Sequence, residues 1–359
     1  VSCATGDCAG DYALEESGGG PESAAVISVG DVLSSVLPVY LLLVAGVVLR
    51  RTGVLRREHD DGIMRAVYVV MLPAFMLDKI LGSDVLRSGS VVFSALLMGF
   101  LMMVAGMLIG FLVGRIIGLE RGNGMRTFAL AAGYQNFGFT AVPVVEILWS
   151  TGALAVLFVH NIGCEIAMWS VGVMVMSASS GMQWRRMING PLIAVLGGLV
   201  LVALELDQHV TGAPRKALSM IGVGAVPLAL VVIGSSISDL FTAERHTGKI
   251  VIGSALVRLV LAPMVILAAA KFLPLAAELK QVMVVQAAMP AAVTPIILAR
   301  LYGGRPAVAA QVVVFTTALS LFTLPWIIAF GCQWVGLQPL LKQGLNEIEV
   351  QAIGQPGAL

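Results

Sequence analysis

Two stretches of this chain set helix-breaking residues beside amides, hydroxyls and a carboxylate within apolar surroundings. The first runs from Tyr134 to Ile147, YQNFGFTAVPVVEI, with Gln135 and Asn136 just ahead of Gly138 and Pro143. The second runs from Gln286 to Arg300, QAAMPAAVTPIILAR, with Pro290 and Pro295 at the same five-residue spacing. Proline lacks the backbone donor and clashes with the carbonyl four residues back, so each helix is expected to break near its prolines, the first at Pro143. In a bilayer such a break is tolerated only where protein buries it or where it lines a watery cavity. The half-helix that follows a break exposes N–H groups and carries about half a positive charge at its start. Two such starts, after Pro143 and after Pro295, predict a cradle for a carboxylate that needs no arginine. Asn136, Gln135 and Thr294 would add polar contacts and Tyr134 a phenol. A plainer alternative is that these side chains only satisfy backbone groups freed by the kinks.

Ionisable residues within apolar runs are the next candidates, because a charge inside a membrane is costly and usually functional. Glu146 follows Pro143 by one turn, and Glu165 follows His160 and Asn161 in a later run. Glu146, His160 and Glu165 are therefore candidates for coupling to protons or another ion. Against this stand an interfacial Glu146 and a structural Glu165–His160 pair. Arg258 lies deeper than snorkelling needs but near one end of its run, so it is expected to snorkel to the interface, with anion binding the alternative. His160 and Cys164, four residues apart, supply two ligands without further carboxylates in order, so no metal site is expected. Gly222-Val223-Gly224 lacks the strand and helix start of a nucleotide fingerprint, and no Walker lysine is present. Neither a cofactor nor a nucleic-acid partner is expected, and no pairing of residues marks an enzyme.

The surrounding sequence must position these residues in a bilayer. Of 359 residues 58% are hydrophobic and 12% charged, with mean hydropathy +0.93. Soluble domains carry about 25% charged residues, so the chain reads as an all-α polytopic membrane protein. Ten apolar runs are long enough to span: roughly 32–49, 63–81, 91–117, 127–149, 153–176, 191–206, 217–237, 250–272, 281–302 and 307–335. The two motifs fall in the fourth and ninth. Fourteen Lys and Arg residues collect on one side of these spans, in loops that include Gln183-Trp184-Arg185-Arg186, and seven on the other. By the positive-inside rule both termini lie outside. Residues 1–30 form an acidic, Lys-free extension expected to be disordered, without the basic start and apolar core of a signal peptide. Cys3 and Cys8 in it would pair only in an oxidising compartment, whereas Cys164 and Cys332 sit in apolar runs as small hydrophobes. Glycines and small residues, notably in spans six and seven, suit close helix packing.

The prolines hint at an internal repeat. Pro38 and Pro191 open spans one and six; Pro73 and Pro227 fall in spans two and seven; Pro143 and Pro295 fall in the motifs. The three offsets are 153, 154 and 152 residues. Five spans per half is odd, so the halves would enter the membrane from opposite sides, as 31–182 and 183–336 with a tail over 337–359.

NFGFTAVPVV at Asn136–Val145, AVPLALVVIGSSI at Ala225–Ile237 and QAAMPAAVTPIILARLYGG at Gln286–Gly304 resemble the auxin efflux carrier family, including its bacterial members linked to malonate and related acids. The resemblance covers about residues 31–335. It implies two inverted five-helix repeats with crossed broken helices four and nine, the fold of sodium/proton antiporters and bile-acid symporters. It further implies a scaffold of spans one, two, six and seven, a moving transport domain, and a homodimer through spans two and seven. The function implied is secondary transport, by efflux or exchange, of a small organic anion across a bacterial inner membrane, with H+ or Na+ as the coupling ion. Plant members carry a long central loop absent here and a more Asn-rich crossover, where this chain has Ala288, so auxin itself is not the expected substrate. A sodium-coupled symporter of the bile-acid type and a non-transporting membrane receptor are the rival readings.

Overall fold

In a computed structural model, residues 28–120, 122, 124–149, 151–177, 188–243 and 247–337 are described. The acidic extension with Cys3 and Cys8, the Gln183–Arg186 loop and the C-terminal tail lie outside them. The described residues are helical, with no strand and one isolated antiparallel bridge, Gln135 to Ala291. Among the described residues six helices are long and apolar enough to cross a membrane: Val29–Arg51 (α1), Gly89–Ile116 (α3), Thr151–Ser177 (α6), Gly212–Asp239, Gly248–Phe272 (α10) and Pro306–Val335 (α13). The other predicted spans are shorter or interrupted. They comprise residues 57–80 (α2), the pair Met125–Gly133 (α4) and Ala141–Leu148 (α5), Gly190–Ala203 (α7), and the pair Ala277–Ala288 (α11) and Thr294–Leu301 (α12). The seventh run divides into Gly212–Gly222 (α8) and Ala225–Ala243 (α9).

Local chemistry explains the ends. Ser28 caps α1 by accepting from the Asp31 amide at 3.1 Å, Asp31 accepts from the Ser28 amide in return, and Arg50 and Arg51 close the last turn. Pro38 therefore lies well inside α1 rather than opening it, while Pro191 does sit in the first turn of α7. Pro73 and Pro263 each follow a π turn, Val67–Met71 in α2 and Val257–Leu261 in α10. A wider turn relieves the clash between a proline ring and the preceding carbonyls. A third π turn, Met168–Gly172, interrupts α6 without a proline.

Glycine lets the helices touch backbone to backbone. A Cβ on Gly99 of α3 would stand 2.0 Å from the His160 carbonyl of α6, and one on Gly163 would meet the Leu96 carbonyl at the same distance. Gly106 of α3 abuts Gly133 of α4, while Gly46 of α1 meets the Val231 carbonyl of α9 and Gly234 of α9 meets the Leu43 carbonyl of α1. The closest backbone approaches thus involve α1, α3, α4, α6 and α9; within the sixth span, Gly198 packs against Ile80 of α2, whose side chain a Cβ would meet at 2.7 Å, while Gly197 faces open space. Ion pairs tie α1, α2 and α9 together at one end, through Arg50–Asp60, Arg50–Asp239 at 3.4 Å and Arg57–Asp239 at 3.0 Å. At the opposite end of α2, Asp78 holds Arg215 of α8 at 2.7 Å.

Candidate functional site

Both motifs are interrupted helices, and their interruptions meet. Helix α4 ends at Gly133 and α5 begins at Ala141; α11 ends at Ala288 and α12 begins at Thr294. The Asn136 amide donates to the Pro290 carbonyl at 2.8 Å, and the Ala292 amide to the Tyr134 carbonyl at 3.0 Å. These bonds satisfy backbone groups that the broken helices would otherwise leave unpaired in an apolar interior. The first interruption lies ahead of Pro143, not at it. Pro143 and Pro295 occupy the first turns of α5 and α12, where a missing N–H costs nothing. Gly138 and Pro290 lie in the interruptions themselves. Gly138 has no positive φ, and a Cβ there would meet nothing within 4 Å, so neither strain nor crowding demands glycine.

A cavity of about 140 Å³ lies against this junction. Tyr134, Asn136, Gly138 and Thr294 line it together with Asn161 and Glu165 of α6, Tyr68 of α2 and Asn189. Its remaining wall is apolar and aromatic, the usual lining of a small-ligand site with a few convergent polar groups. For scale, an engineered cavity of about 150 Å³ admits benzene. The first turns of α5 and α12 reach the cavity through Val142 and Thr294, while the residues that precede them, Thr140 and Val293, line the smaller cleft. Asn136 donates from Nδ2 to Thr140 Oγ1 at 2.8 Å, and Tyr134 donates to the Met168 sulfur at 2.7 Å. Glu165 accepts from Trp169 Nε1 at 2.9 Å, so its partner is this indole and not His160.

Other predicted residues face elsewhere. Gln135 is fully buried and turns away from the cavity, its Oε1 3.4 Å from a guanidinium nitrogen of Arg258. Pro295 is buried outside the lining, and Pro290 lines a smaller cleft of about 10 Å³ on the other face of the junction. Buried His160 has Nδ1 3.5 Å from Asn161 Oδ1 and 3.7 Å from the Cys164 sulfur. Glu146 is apart from Glu165; it pairs with Lys79 of α2 at 2.9 Å beside a second cavity of about 210 Å³.

Sequence reasoning misplaced Arg258. The side chain is fully buried rather than snorkelling, and it points behind the junction toward Gln135 and the Gln286 carbonyl, each at 3.4 Å. Gln286 in turn donates to the Phe137 carbonyl at 3.2 Å and to Asn161 Oδ1 at 3.4 Å. Tyr68 and Asn189 were also missed; Asn189 caps α7 by accepting from the Leu192 amide at 2.9 Å, a signal legible as an N-cap before Gly190-Pro191. The three π turns each carry a residue of this region: Tyr68, Trp169 and Arg258. Such turns recur at functional sites.

An uncharacterized transporter of Methanothermobacter thermautotrophicus is 25% identical over 300 residues, covering 81% of this chain and 95% of the relative. The profile of a family described as membrane transport protein matches twice in succession, over residues 31–184 and 174–328. With most of its length so matched, the chain belongs to this family of membrane transport proteins, the auxin efflux carrier family its motifs resemble.

Proposed function

We propose that the protein is a secondary carrier of small organic anions, taken as carboxylates in the cavity beside the paired interruptions. The observation that carries this reading is the convergence of two half-helix starts on one cavity with Asn136, Asn161 and Thr294 in its wall. Positive helix ends stabilise a carboxylate without a mobile basic side chain. Glu165 is assigned the coupling role by taking up and releasing a proton. Family membership favours a carrier over an enzyme.

In this reading the ten runs form two inverted five-helix repeats, with helices four and nine crossed at their breaks. The double family match and the facing interruptions support that arrangement. The ion pairs linking α1, α2 and α9 support a scaffold, against which the remaining helices move as an elevator. The carrier works by efflux or exchange, as a homodimer with both termini outside, in a bacterial inner membrane. The test is uptake of radiolabelled acetate, malonate, succinate and benzoate into proteoliposomes, with proton and sodium gradients imposed separately. Saturable uptake of at least one acid, at least about tenfold slower in Asn136→Ala, is expected. No uptake of any acid, in protein that remains folded, would overturn the proposal.

A further inference from the structure

Arg258 is the strangest residue in the molecule. It lies ten residues into α10, about 15 Å along the axis at 1.5 Å per residue, and so near the middle of a 25-residue span. A charge at that depth is expensive. It is nevertheless fully buried, and among the described residues no carboxylate forms an ion pair with it. Its contacts are two long hydrogen bonds, to Gln135 Oε1 and to the Gln286 carbonyl, both at 3.4 Å, and its Nε has no partner. Gln135 Nε2, Gln286 Oε1 and His160 Nε2 nearby are likewise buried without partners.

The placement makes electrical sense. Gln286 belongs to the last turn of α11, and Gln135 lies two residues past the end of α4. Both half-helices present their negative, carbonyl ends here, each equivalent to about half an electron charge. The positive starts of α5 and α12 face the other way, into the cavity, which Arg258 does not line. The junction is therefore polarised, with an anion-seeking side at the cavity and a cation-seeking side behind it. In carriers built from broken helices, carbonyl ends and unwound backbone are where a coupling sodium or proton binds.

We infer that Arg258 is a fixed internal cation that occupies the negative pole of the junction, in place of a bound sodium ion. It is a positioning residue: it touches no substrate, but neutralises the two carbonyl ends so that the half-helix starts keep their attraction for a carboxylate. Because the charge is covalently attached, the pole stays occupied through the transport cycle and no sodium is needed to load the anion. This rests on the carrier reading for its consequence, although the occupancy of the pole does not require it.

The experiment is thermal melting of the purified full chain in sodium chloride against choline chloride, for wild type, Arg258→Lys and Arg258→Gln. Wild type and Arg258→Lys, which keeps the charge, are expected to melt alike in both salts. Arg258→Gln opens the pole and should gain a sodium-dependent rise of about 2 °C in its midpoint. A wild type stabilised by sodium overturns the inference, as does a folded Arg258→Gln indifferent to it. Should Arg258→Gln not fold, Arg258→Lys and wild type still decide by acid uptake: rates equal within about twofold in sodium and choline support the inference, and sodium dependence of either refutes it. Absence of uptake with the expected melting pattern would fault the carrier reading alone.

Discussion

The Lys79–Glu146 pair joins two elements that an elevator must separate. Lys79 sits in the last turn of α2, assigned to the scaffold, and Glu146 in α5, assigned to the moving part. The ammonium lies 2.9 Å from the carboxylate and 5.3 Å from the centroid of the Phe75 ring. Phe75 packs edge-on against Phe158, centroids 5.9 Å apart, and this ring pair stands between the main cavity and the second one. The main cavity reaches Asn189 at the start of α7, the side that the basic loops assign to the cytoplasm. In the proposed orientation the pair therefore latches the opposite, outer side. Side chains 25% and 40% exposed place the ion pair in the partly screened class, at about 0.5–1 kcal/mol. The ring contact adds about 0.5 kcal/mol. Losing both in Lys79→Met costs the present state about 1–1.5 kcal/mol, a shift of about 5- to 13-fold toward the outward-facing state. Glu146→Gln keeps the ring contact and should shift it about 2- to 5-fold. The assay is labelling of Val142→Cys, a cavity-wall position, by a membrane-impermeant maleimide applied from outside. Labelling should quicken by these factors, in that order. Rates equal to those of Val142→Cys with the Lys79–Glu146 pair intact, with only the melting midpoint lowered, would refute the gate and leave an ordinary surface ion pair.

Other substitutions separate site from scaffold. Asn136→Ala removes the amide that bridges cavity and Thr140 and should weaken anion binding about tenfold, with melting nearly unchanged, as read by saturation of uptake. Glu165→Gln should abolish acceleration of uptake by an imposed pH gradient while sparing acid exchange; gradient-driven accumulation in that variant would remove Glu165 from the coupling role. Gly163→Ala forces a Cβ to 2.0 Å from a backbone carbonyl and should lower the melting midpoint by several degrees, an overpacking cost of about 3 kcal/mol or more. Gly138→Ala meets nothing within 4 Å and should melt like wild type while altering the rate of uptake through the cavity wall it adds to.

The interruptions were legible because their cause is local: two prolines or a glycine and a proline, five residues apart, in an otherwise apolar run. Their exact place was not. A proline in the first turn of a helix is innocuous, so Pro143 marks where α5 has already begun, and the break lies in the residues before it. The partnership between the breaks is a contact across some 155 residues of chain, Asn136 to Pro290, that nothing in either stretch encodes alone. Tyr134, Asn136 and Thr294 reached the cavity and Gln135 did not, because consecutive side chains in an extended segment alternate in direction. Glycine content likewise announced close packing in spans six and seven, where Gly198 and Gly234 show it, but not the equally close contacts of Gly99, Gly106, Gly133 and Gly163 in α3, α4 and α6.

Arg258 shows why depth alone misleads. Its place toward one end of the apolar run 250–272 suggested snorkelling, a reading that assumes a regular helix and a free path outward. The π turn Val257–Leu261, set against Pro263, inserts an extra residue, and one residue rotates the helix face by about 100°. A face assignment carried across that turn is wrong by more than a quarter of a circle, enough to turn a guanidinium from lipid to protein. The same displacement places Tyr68 and Trp169 at the junction from α2 and α6. Polarity at the centre of this protein thus comes from defects in its helices as much as from its polar residues. Four half-helix ends supply paired opposite poles, and one buried guanidinium fixes the negative one, leaving the positive one to the ligand.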